Sequence, residues 1–112
     1  MRSNTERLQD ILQAIAKIQR DCAKSSFEQE SLVQSGILYQ LIIIGEAVSG
    51  LSSSLRQAYP DVPWTQIVGM RNILVHQYYK INLPKVWSVV TQDLPELKIK
   101  VEEILHELES QD

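Results

Sequence analysis

Residues 41 to 48, LIIIGEAV, put apolar side chains on nearly every side of any helix they form. A helix without a polar face is buried on both flanks. A chain of 112 residues covers only a modest share of its own surface. One flank would face the chain's own core, and self-association would supply cover for the other. Gly36, Gly45 and Gly50 lower helix propensity but permit close approach of a neighbouring helix. The alternative is a central helix wrapped by the other helices of one chain.

The rest of the chain has helical periodicity as well. Leu8, Ile11, Leu12, Ile15 and Ile18 recur at spacings of three and four, which predicts an amphipathic helix from about residue 5 to 21. Ser26 and Gln29 read as a capping box that opens the apolar helix, and that helix is expected to run to Leu55 or Tyr59. Pro60 ends it, and Pro63 suits the first turn of a third helix over residues 63 to 78. Asn82, with Pro84 behind it, reads as the N-cap of a fourth. Asp93, Pro95 and Glu96 repeat that device, predicting a fifth helix or a kinked continuation to about Glu109. No repeat or flexible linker interrupts the pattern. The expectation is one all-α domain over residues 1–112, a bundle of four to five helices that forms a homodimer.

Charge narrows the function classes. The net charge is -3, which argues against a generic basic nucleic-acid binder. Between Asp61 and Asp93, however, there is no acid, while Arg71, Lys80 and Lys85 fall there. A local positive field of this kind suits a phosphate-bearing ligand. Cys22 is the single cysteine, so no internal disulfide forms, and His76 and His106 are too far apart for zinc spacing. No metal site is expected. The N-terminus lacks the apolar core of a signal peptide, and the run from 37 to 51 is short for a bilayer and carries Glu46. A cytoplasmic protein without a membrane association is the natural expectation.

The acid-free window contains RNILVHQYY, residues 71 to 79. On a helix Asn72 and His76 are neighbours, so the amide can orient the imidazole. Arg71 and Tyr78 also share a face if the helix extends that far. Arg71 and His76 are five apart, about 140° around and about 7.5 Å along the axis, and converge poorly within one helix. A two-fold interface that presents the motif twice would bring them into one cleft. Histidine suits proton transfer near neutral pH, and arginine suits a phosphate and the charge that develops on it. Without a metal, the pair fits RNA cleavage by the substrate's own 2′-hydroxyl, which DNA lacks. The plainer reading is a structural cation and a satisfied histidine on a packed helix.

RNILVHQYY resembles the R-x4-H-x-Y signature of HEPN-domain proteins, specifically the HepT toxins of HepT/MntA toxin–antitoxin pairs. LIIIGEAVSGLS, YPDVPWTQIVGMRNILVHQYY and VWSVVTQDLPELKIKVEEIL follow that family in order and spacing, so the resemblance spans nearly the whole chain. It implies an all-α HEPN homodimer and a metal-independent endoribonuclease, with transfer RNA or messenger RNA as substrate. Arg71 and His76 would be catalytic and Asn72 would orient His76. Tyr78 matches the tyrosine to which an MntA-type nucleotidyltransferase, using ATP and Mg²⁺, transfers AMP. The added phosphate beside Arg71 would block the RNA groove by charge and bulk.

The chain departs from the family at Gln77, where many relatives carry an acid, and at Lys80, Ile81 and Asn82. Lys80 adds a cation that can bind RNA or ATP phosphates. Tyr79 reads as a packing aromatic, Trp64 and Trp87 as core, and Cys22 and Ser52–Ser54 as surface or helix-end residues. Glu46 reads equally as a helix-pairing or a site-supporting group. Two further readings remain beside the ribonuclease: a non-catalytic HEPN module that binds a nucleotidyltransferase, and a structural dimeric bundle.

Overall fold

A computed structural model describes residues 2–24 and 30–111 of the chain. The capping box expected at Ser26 and Gln29 lies outside the described residues. The first helix, α1 (Asn4–Lys24), has a capping box of its own. Ser3 Oγ accepts from the Glu6 amide at 3.1 Å, and Glu6 Oε1 accepts from the Ser3 amide at 3.0 Å. Hydrogen bonds from the Ser3 amide and the Ser3 hydroxyl hold the Glu6 carboxyl below its ordinary value. Leu8, Ile11, Ile15 and Ile18 line the inner face of α1 and are fully buried. Each contributes about 1.5–3 kcal/mol of burial.

The apolar helix is α2 (Ser31–Gly50), and it packs against α1 on one side and the fourth helix on the other. Ile37, Leu41, Ile44 and Val48 are its buried face. Its twenty residues are long and apolar enough to cross a bilayer by length and composition, and 33% of that span is buried within the bundle. It ends earlier than the sequence predicts. Leu51 and Ser52 are extended, and α3 (Ser53–Ala58) starts afresh. The cause is tertiary. Leu51 is buried, Ser52 Oγ caps the Leu55 amide at 3.2 Å, and Asn4 clasps Ser52 through bonds of 3.0 and 3.1 Å.

Trp64 opens α4 (Trp64–His76) and is buried, its indole N–H donating to the carbonyls of Arg56 and Tyr59. α4 is the helix expected over residues 63 to 78; it ends two residues sooner, and Tyr78 stands outside it in a 3-10 turn, Tyr78–Lys80. Asn82 does cap α5 (Leu83–Ser88), accepting from the Lys85 amide at 3.1 Å. A π-turn, Val89–Asp93, joins α5 directly to α6 (Leu94–Ser110). Asp93 does not cap: it is helical and makes no side-chain cap bond. Pro95 lacks the amide that a regular helix needs, and the wider turn before it absorbs that loss. Counting this kinked rod once, five helical rods surround one core among the described residues, in agreement with the all-α bundle. Trp87 is half-buried against that core, as is Cys22, whose thiol burial pushes above its ordinary value.

Candidate active site around Arg71 and His76

The inward side of α4 carries Trp64, Ile67, Val68, Arg71 and Leu74, at spacings of three and four. Arg71 therefore points at α2. Gly45 of α2 makes room for it: a Cβ there would fall 2.7 Å from Arg71 Cγ and nearer still to its Cβ. Glycine at 45 thus serves an intrachain contact. Gly50 likewise lies beneath Arg7 of α1, whereas Gly36 has open space above it.

Two protein oxygens hold the guanidinium. Arg71 Nη2 pairs with Glu46 Oε1, and Nη1 donates to Asn72 Oδ1 at 2.8 Å. Arg71 Nε is buried and unpartnered among the described residues. The side chain of Arg71 is 23% exposed and that of Glu46 is 52% exposed, so the pair sits at the mouth of the α2–α4 seam. Glu46 takes the helix-pairing role foreseen for it, bridging α2 and α4 through Arg71. It also alters the charge picture. The window from 62 to 92 is acid-free along the chain, but α2 places a carboxylate against its arginine.

Asn72 and His76 share the exposed side of α4. Asn72 accepts from Arg71, and among the described residues no hydrogen bond joins it to His76. The amide is therefore engaged one residue back instead of four residues forward. His76 stands in the last turn of α4, where the Gln77 amide closes on the Ile73 carbonyl at 2.9 Å. Gln77 then leaves helical geometry at φ -135° and ψ 43°, so Tyr78 does not share a helical face with Arg71.

The turn after Gln77 exposes both tyrosines. Tyr78 and Tyr79 are each 73% accessible, and their rings meet edge-to-face at 6.2 Å and 77°. Tyr79 is thus not a packing aromatic: the 3-10 turn rotates it off the bundle. Lys80 is exposed and borders a cleft of about 660 Å³ between α4 and the α5–α6 rod. Ile67, Met70, Ile73 and Leu97 line that cleft, and Lys85 and Lys100 share its rim with Asp93 and Glu96.

The chain is similar to known proteins over most of its length. The family model described as Ribonuclease HepT-like matches residues 8–104. A Methanocaldococcus jannaschii protein named as an inferred RNase is 34% identical over 98 residues, covering 85% of this chain and 90% of its own. A Thermococcus cleftensis protein named "Probable ribonuclease HepT" is 31% identical over 106 residues, covering 92% and 96%. An inferred RNase of Caldanaerobacter subterraneus is 37% identical over 79 residues, covering 70% of each chain. No solved structure matches. With its helical bundle, its Arg71–His76 motif and a match across almost its full length, the chain belongs to the HepT-like ribonuclease family.

Proposed function

We propose that the chain is a ribonuclease toxin whose Arg71 and His76 cleave RNA without a metal. The observation that carries this reading is the anchoring of Arg71. Glu46 and Asn72 fix its guanidinium at a seam mouth, on the helix whose exposed end presents His76. A pre-set arginine costs little reorganisation when charge develops on a phosphate. The names of the relatives support RNA as the substrate.

The chemistry balances without a cofactor. His76 takes the proton of a ribose 2′-hydroxyl, and the oxygen attacks the adjacent phosphorus. The P–O5′ bond breaks, and a protonated imidazole returns a proton to the leaving oxygen. The products are a 2′,3′-cyclic phosphate and a 5′-hydroxyl. Arg71 faces the equatorial oxygens throughout.

A homodimer supplies the second imidazole, the partner subunit's His76. In support, Leu32, Gly36 and Tyr39 form one stripe at helical spacing on the outside of α2, with Ile43, half-buried against the core, next in the row. Leu32 is 85% and Tyr39 61% exposed, and Gly36 offers a close approach. Glu46 continues the stripe, so pairing through it brings both Arg71 groups toward the two-fold axis. Regulation follows from Tyr78. An MntA-type nucleotidyltransferase would use ATP and Mg²⁺ to place AMP on its exposed hydroxyl, adding negative charge beside His76. We place the pair in the cytoplasm.

A second reading draws on the same arginine. Both terminal nitrogens of Arg71 already donate to protein oxygens, as they would in a non-catalytic module that only binds the nucleotidyltransferase. Incubation of the purified chain with RNA in EDTA separates the two. The ribonuclease reading predicts fragments with 2′,3′-cyclic phosphate ends. Intact RNA at every protein concentration would favour the binding module.

A further inference from the structure

We infer that Tyr78 and Tyr79 form a stacking platform for an unpaired base of single-stranded RNA, with Lys80 holding the adjoining phosphate. The inference rests on the ribonuclease reading and adds the form of its substrate. Aromatic rings usually bury most of their 150–250 Å² on folding. Here two consecutive rings stay 73% exposed, touch only edge-to-face, and turn free faces in different directions. Neither hydroxyl has a hydrogen-bond partner among the described residues, so no polar anchor explains their position.

The backbone beneath them is fixed. The Lys80 amide donates to the Gln77 carbonyl at 2.7 Å, and the Ile81 amide donates to the Tyr78 carbonyl at 3.1 Å. The platform is therefore presented by a closed turn, immediately after the helix end that bears His76. Every base has a π-face, so such rings bind single strands with little regard to sequence. Bases stacked within a duplex do not offer that face. Adenine attached to Tyr78 would occupy the same platform and compete with a substrate base.

The test is fluorescence anisotropy of a labelled single-stranded 2′-O-methyl oligonucleotide, which the chain cannot cleave, titrated with the full chain. Tyr79→Ala should weaken binding about 5- to 100-fold, since stacking is worth about 1–3 kcal/mol per base. Tyr79→Phe keeps the ring and should stay within about twofold of the parent. Lys80→Ala should lower the salt slope by about one, which Tyr79→Ala should not do. In cleavage of natural RNA, Tyr79→Ala should raise KM and leave kcat nearly unchanged. If the parent cuts RNA and Tyr79→Ala binds and cuts equally well, the platform falls and the ribonuclease stands. Equal affinity of the parent for duplex and single strand also overturns the platform. A parent that neither binds nor cuts RNA overturns both.

Discussion

Gly45 of α2 lies directly beneath Arg71 of α4, where any β-carbon would run into the arginine's own Cβ and Cγ. The Arg71 Cα, at 3.5 Å from that position, limits how far the neighbour can yield. Overpacking of this kind costs about 1–3 kcal/mol, against which the better helix propensity of alanine returns about 1 kcal/mol. Gly45→Ala should therefore lower the urea midpoint and displace the guanidinium. Gly69 of α4 has nothing within 4 Å of its Cβ position. Gly69→Ala should raise stability by about 0.4–1 kcal/mol. Equal midpoint shifts for the two variants would contradict the close approach at 45.

Glu46 positions Arg71, and its removal should tell on rate more than on stability. The carboxylate is 52% exposed, so the ion pair itself contributes under about 1 kcal/mol. A misplaced catalytic group, by contrast, costs up to about 10²-fold in rate. Glu46→Ala is expected to lose RNA cleavage on that scale while unfolding at nearly the parental midpoint. Glu46→Gln retains an acceptor oxygen and should lose less. Parallel loss of rate and stability would make Glu46 a plain structural tie.

The far end of the bundle offers a pH-dependent control. Tyr59 donates to Glu107 Oε2 at 2.5 Å, tying the end of α3 to α6. That bond holds the phenol above its ordinary 10.0. The folded chain keeps this proton more tightly than the unfolded one. The contribution is therefore full below pH of about 10 and disappears as pH rises through the higher folded value. Tyr59→Phe should be less stable than the parent by about 0.5–1 kcal/mol at neutral pH. The gap should close in alkali. A gap constant with pH would assign Tyr59 to packing alone.

Much of this was legible along the chain, and the rest was not, for physical reasons. The periodicity of α1, the cap at Asn82 and the kinked α5–α6 rod are local signals. The break at Leu51–Ser52 depends on Asn4, which is 48 residues away in sequence, so no window around Gly50 reports it. The Glu46–Arg71 pair spans 25 residues, and the only local hint was a lone charge in an apolar run. Tyr78 and Tyr79 depend on whether the helix survives past Gln77. No proline or glycine marks the end there, and the expected helix ran on too far.

The exposed hydroxyl of Tyr78 makes modification directly measurable. Co-incubation with the proposed MntA-type nucleotidyltransferase, ATP and Mg²⁺ should raise the intact mass of the chain by whole AMP units, mapped to Tyr78 by peptide fragmentation. Tyr78→Phe should stay unmodified and remain active in the partner's presence. Modification and silencing of Tyr78→Phe would move the acceptor elsewhere.

The proposed mechanism has His76 transferring protons in an Arg71-assisted cleavage within a dimer. The most direct measurement is the initial rate of RNA cleavage in EDTA by the parent and by His76→Ala, with the mass of each followed by sedimentation. His76→Ala should lose about 10²- to 10⁴-fold, the range for general acid–base groups, with the dimer unchanged. His76→Ala cutting RNA at the parental rate as an intact dimer would contradict that mechanism.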